Sequence, residues 1–72
     1  MNVLWYSDAL DDWRRLSLTD AETVAKAVRR WANGNEGVVV AVGDEYLLFV
    51  GDLVVVFFVH ASAMHIAHIR RG

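Results

Sequence analysis

The run from Leu53 to Val59, LVVVFFV, contains no polar residue. Its β-branched and aromatic composition suits a strand. A strand with one face in water alternates apolar and polar residues. This one does not, so any sheet that holds it has two apolar faces to shield. A chain of 72 residues supplies one small core, and we read residues 1–72 as a single domain. The run therefore restricts the chain to architectures in which something covers the second face. That cover is another layer of the same chain, a second copy, or a different protein.

The sequence has no Cys and no Pro. A disulfide framework, a thiolate metal site and a thiol nucleophile are excluded, and packing must hold so small a domain. With 56% hydrophobic and 22% charged residues, the chain is too apolar for a disordered segment. Its net charge of −2 lacks the basic excess of a free-standing nucleic-acid binder, which argues against direct nucleic-acid binding. The opening MNVLWYSDAL has neither the basic region nor the apolar run of a signal peptide. Asp44, Glu45 and Asp52 interrupt residues 38 to 59, leaving strand-sized pieces and no membrane span. A cytoplasmic protein without membrane association is the expectation.

Asn2 to Tyr6 reads as a short first strand. Ser7 offers an N-cap and Asp8 an acid in the first turn. Ala9, Leu10, Trp13 and Leu16 follow at helical spacing. A second helix is predicted from the capping box Thr19-Asp20-Ala21-Glu22, with Val24, Val28 and Trp31 on its apolar stripe. Glu22 and Lys26 are spaced for an i, i+4 ion pair, and Asn33-Gly34 signals the stop. Four strands are predicted next: Val38 to Val42, Tyr46 to Val50, Leu53 to His60 and Met64 to Arg70. Gly43-Asp44 and Gly51-Asp52 fit type II′ hairpins, and residues 61 to 63 a three-residue loop. The order β-α-α-β-β-β-β gives an α+β fold, with two helices packed on one face of a mainly antiparallel sheet.

Those loop lengths fix a register. Phe49 meets Val54, Leu47 meets Val56, Val40 meets Leu47 and Val38 meets Phe49. Ile66 falls opposite Phe58, His68 opposite Val56, and Arg70 opposite Val54. Leu48, Val55, Phe57, Ala67 and Ile69 then share the face assigned to the helices. Leu47, Phe49, Val54, Val56, Phe58 and Ile66 share the other, with His60, His68 and Arg70 near its margins. Two short helices cannot cover both sides. The second face should expose an apolar patch on the order of several hundred Å², the size at which a patch implies a partner. Leu47, Phe49, Val54, Val56 and Phe58 are the expected partner-binding residues.

This order, the segment WYSDALDDWRRLSLTDAETVAKAVRRWANG, and above all YLLFVGDLVVVFFVHASAMHIAHIRR resemble the RelE/ParE toxin superfamily of bacterial type II toxin-antitoxin systems. Val50-Gly51-Asp52, Phe57 and the basic ending Arg70-Arg71 are the closest points. The resemblance spans nearly the whole chain. It implies a RelE/ParE-like scaffold and an antitoxin protein as partner. Where members often carry Arg, this chain has Leu47, Phe49 and Val54. In ribonuclease members that face carries the basic residues that act on mRNA in the ribosome. Cleaving RNA needs groups that activate the 2′-hydroxyl, stabilise the charged phosphorane and protonate the leaving oxygen. Leu, Phe and Val do none of these. His68, Arg70 and Arg71 are the remaining catalytic candidates.

Each chemical candidate has a plainer reading. Terminal arginines solubilise an apolar strand and protect an edge. His65 and His68 point to opposite faces of a regular strand, so no metal site is expected, and no cofactor. The basic residues of the helices are balanced by Asp8, Asp11, Asp12, Asp20 and Glu22. Trp13 and Trp31 lie on apolar stripes and belong to the core, whereas Trp5 is an interface candidate.

The leading expectation is a toxin-like component acting by protein-protein contact through the apolar sheet face. Its target would be a protein such as DNA gyrase, as in the ParE branch. One alternative is a diverged, non-toxic module that self-associates as a homodimer through that face. The other is a ribosome-dependent mRNA endoribonuclease of RelE type, against which the replaced basic residues count.

Overall fold

Short polar side chains set the boundaries of the second helix only. The first starts at Ser7, which is a helical residue and not the expected N-cap; the cap position is Tyr6, with no side-chain hydrogen bond. Ser17 caps the second helix, its Oγ accepting from the Asp20 N–H at 3.1 Å. The cap thus lies two residues before the expected Thr19, with Asp20 in place of a Glu at the third helical position. At the other end Asn35, not Gly34, takes the left-handed conformation, at φ 54. Its N–H bonds the Trp31 carbonyl at 2.9 Å. Asn tolerates this geometry because its short amide can bond locally. The expected Glu22–Lys26 pair does not form; the helix ion pairs are Arg14–Asp11 and Arg15–Asp12, both at 3.7 Å.

The computed structural model describes all residues from Met1 to Gly72. β1 (Asn2–Trp5) leads into α1 (Ser7–Arg14) and α2 (Leu18–Gly34). Then come β2 (Val38–Val42), β3 (Glu45–Val50), β4 (Leu53–His60) and β5 (Ala63–Arg71). The strands form one sheet in the order β1-β5-β4-β3-β2. Only the β1–β5 pair is parallel. This is the α+β arrangement that the sequence predicts. No helix is long and apolar enough to cross a membrane.

Both helices pack on the same side of the sheet. Ala9, Val24, Val28 and Ala32 meet Leu48, Val55, Phe57 and Ile66 in a single core. Small residues on the helices allow close approach, and the large Phe57, Leu48 and Met64 fill the space from below. Trp31 lies 6.1 Å from Phe57 between ring centroids. Trp13 donates its indole N–H to the Ala21 carbonyl at 3.0 Å, holding the two helices together. Trp5 packs edge-on against Trp13, at 6.4 Å, and so belongs to the helix layer. Burying a side chain the size of Phe57 contributes about 2–3 kcal/mol.

The first two hairpins have the expected turns, with Gly43 at φ 61 and Gly51 at φ 60. The third differs. His60 pairs with Ala63, so the loop is only Ala61-Ser62, and both residues have positive φ, 51 and 60. A bulge between Val56 and Phe57 takes up the extra residue, Ala67. A shorter loop and an added bulge cancel. His68 still meets Val56 and Arg70 still meets Val54, as predicted. Between tip and bulge every side chain is reversed. Ile66 pairs with Phe57 and is fully buried in the core, not on the second face. His65, opposite Phe58, joins His68 on the second face, where a regular strand would have separated them.

Candidate functional site

With both helices on one side and no further element in the chain, nothing lies across the second face. Its side chains form rows across the strands. One row runs Val38, Phe49, Val54, Arg70; the next runs Val40, Leu47, Val56, His68. The two valines of the central strand are buried, Val54 at 3% and Val56 at 5% exposure. Each is flanked by a larger side chain from β3 and a long polar one from β5. The alternation of small centre and large flanks seals the middle of the face without a second layer. Its margins stay open: Phe49 is 42% exposed and Val38 65%. Leu47 and Phe58 are half-buried.

An aromatic cluster occupies the end of this face near the Ala61-Ser62 turn. The rings of Phe58 and His65 stack at 4.7 Å with an interplanar angle of 4°. Tyr6 meets both edge-on, at 5.8 and 5.9 Å. His65 Nε2 donates to the His60 carbonyl at 3.2 Å, leaving its buried Nδ1 without a partner. Tyr6 and, beside His65, Leu4 remain about half exposed. Sequence reasoning places Phe58 on this face but misses Tyr6, Leu4 and His65. The parallel pairing that brings β1 alongside β5 leaves no local signal. The reversal of His65 follows from the loop being two residues long.

The three catalytic candidates do not converge. His68 and Arg70 share the second face and line an open cleft of about 620 Å³ with Glu45, Leu47, Val56 and Asp12. Two carboxylates thus stand beside the two basic groups. Arg71 projects the other way: its guanidinium bonds Asp52 at 2.8 Å and reaches Asp20 of α2 at 3.7 Å. That arginine ties the chain end to the β3–β4 turn and the start of α2. No group of three or more His, Asp or Glu side chains comes together in metal-binding geometry.

No protein-family model matches the sequence, and no curated protein matches it. Solved structures do resemble the fold. A chain of the intact Escherichia coli RelBE toxin-antitoxin complex superposes with a TM-score of 0.80 at 15% identity, over 99% of this chain and 95% of that one. A chain of the chromosomal ParDE toxin-antitoxin system of Pseudomonas aeruginosa gives 0.79 at 18% identity, over 99% and 95%. A chain of the YoeB-YefM complex of Staphylococcus aureus gives 0.79 at 12% identity, over 100% and 97%. The isolated Escherichia coli RelE toxin matches at 0.80 and 15% identity, over 99% of this chain and 83% of its own. The fold of this chain is therefore that of the RelE/ParE toxins.

Proposed function

We propose that this chain is the toxin-like member of a toxin-antitoxin pair, and that its antitoxin covers the second face of the sheet. One observation carries the reading: an apolar sheet face with a sealed valine centre and open aromatic margins, across which the chain lays nothing of its own. Of the five expected residues, Leu47, Phe49 and Phe58 form the contact surface, around the sealed Val54 and Val56. Phe49 and Phe58 are the anchors, because large side chains that lose their remaining exposure in a complex are where binding energy concentrates. Fold likeness to toxins solved in toxin-antitoxin complexes supports the choice of partner. Contact with a protein target, of which DNA gyrase is one candidate, uses the same kind of surface.

Induced expression tests the reading. Growth should arrest when the chain is made alone and recover when the product of the adjacent reading frame is made with it. Phe49→Asp should abolish that recovery and the co-purification of the two proteins while leaving the circular dichroism spectrum unchanged. Recovery undiminished by Phe49→Asp would place the antitoxin elsewhere.

The cleft at His68 and Arg70 supports a second reading, residual ribonuclease activity. His68 there would move a proton and Arg70 would hold a phosphate. Arrest that disappears in Arg70→Ala, with folding intact, would favour it. Arrest that persists points to protein contact.

A further inference from the structure

β2 is the last strand of the sheet, and its outer side pairs with nothing. It reads VVVAV, without the Pro, charge or bulge that commonly protects an edge. Val38, Val40 and Val42 are 65%, 46% and 55% exposed. Val42 and Glu45 close a two-residue hairpin, so Val42, Val40 and Val38 direct their N–H and C=O groups toward β3. Val39 and Ala41 direct theirs outward. These free groups are symmetric about Val40. A second β2, running antiparallel with Val40 opposite Val40, would exchange bonds between Val39 of one copy and Ala41 of the other, twice over.

Charge follows the same symmetry. Lys26, Arg29 and Arg30 line a cleft with Glu36 on the side of α2 away from the sheet, Arg29 leaning toward Val3 and Trp5 of β1. Arg30 also borders Gly37 and Val38. None of these cations has an ion pair; the salt bridges use Arg14, Arg15 and Arg71. The far end of β2 carries the turn acids Asp44 and Glu45, which are likewise unpaired. Pairing about Val40 brings the acidic turn of each copy toward Arg30 of the other. Glu36 falls opposite Asp44 of the second copy, and Arg30 is the cation placed to offset the two acids.

We propose that two copies of this chain join through β2 in a two-fold antiparallel pair, fusing their sheets edge to edge. Such an interface is isologous and closes on itself. It leaves the second face open and extends it from one copy into the other.

Sedimentation velocity of the full chain over a dilution series tests this. The wild type should sediment as a dimer that dissociates on dilution, and more readily as salt rises. Ala41→Pro removes an outward N–H and spares the bonds to β3. It should raise the dissociation constant about 30-fold or more, with an unchanged circular dichroism spectrum. Asp44→Lys should weaken the dimer several-fold, and adding Arg30→Glu should restore it. A wild-type monomer throughout the series would overturn the proposal. So would a dimer indifferent to both Ala41→Pro and Asp44→Lys, or one lost instead in Phe58→Ala. Should Ala41→Pro not fold, the Asp44→Lys and Arg30→Glu reversal still decides.

Discussion

The Asp12 carboxylate on α1 accepts a hydrogen bond from the backbone N–H of Ile69 on β5, at 3.0 Å. β1 pairs with β5 only from Ala63 to Ile66. Beyond that point the outer edge of β5 has no strand beside it, and Asp12 supplies the acceptor that β1 does not. A charged acceptor on a half-buried backbone donor is among the stronger hydrogen bonds in proteins. Asp12→Ala should therefore cost about 1–2 kcal/mol in urea unfolding, the upper range being reduced by partial solvent access. Asp12→Asn keeps an acceptor and should cost less.

The Ala61-Ser62 turn places two ordinary side chains in left-handed backbone geometry. Each such residue costs about 1–2 kcal/mol relative to one suited to it. Replacing the pair with Asn-Gly, the preferred type I′ sequence, should raise stability by about 1–2 kcal/mol. Thermal and urea midpoints would both rise. No shift would mean that the strain is already relieved elsewhere in the hairpin.

Phe57 and Phe58 are neighbours in sequence on opposite sides of the sheet. Phe57 is fully buried among the helices, so Phe57→Ala should cost about 3–5 kcal/mol and leave little folded protein. Phe58 is half-buried on the open face. Phe58→Ala should leave the chain folded but weaken the antitoxin complex by about 2 kcal/mol or more if it is an anchor. Paired unfolding and calorimetric binding titrations separate the two outcomes.

Gly37 has φ 139, and a Cβ there would lie 2.9 Å from Leu48 Cδ1. Leu48 is a core residue at 1% exposure with little room to retreat. Gly37→Ala should destabilise the chain by about 1–3 kcal/mol through backbone strain and displacement of Leu48. A smaller loss in denaturant unfolding would show that the loop before β2 can move.

Much of this arrangement was legible in the sequence because its signals are local. Gly-first pairs at 43 and 51 fixed two hairpins, and with them the rows Val38–Phe49–Val54 and Val40–Leu47–Val56. The stripe through Val24, Val28 and Trp31 placed α2. What escaped was non-local or degenerate. Ala61-Ser62 carries no turn chemistry, so its loop length could not be read. The shorter loop moved Ile66 into the core and His65 out of it, and the bulge at Ala67, which restores the register beyond, has no composition of its own. The sealing of Val54 and Val56 depends on neighbours from two other strands. The expected bare patch is consequently a dry centre with open margins. The basic ending looked like one unit, yet Arg71 faces away from Arg70 because successive strand residues alternate.

Ala67 bears a consequence of its own. Since the residues on either side of it already sit in the slots a regular ladder would give them, excising it would leave each partner where it is. What would change is the bend of the floor on which they stand. A single-codon deletion thus separates curvature from chemistry: the same rings and valines, presented on a flatter platform, would report how much of recognition is shape alone.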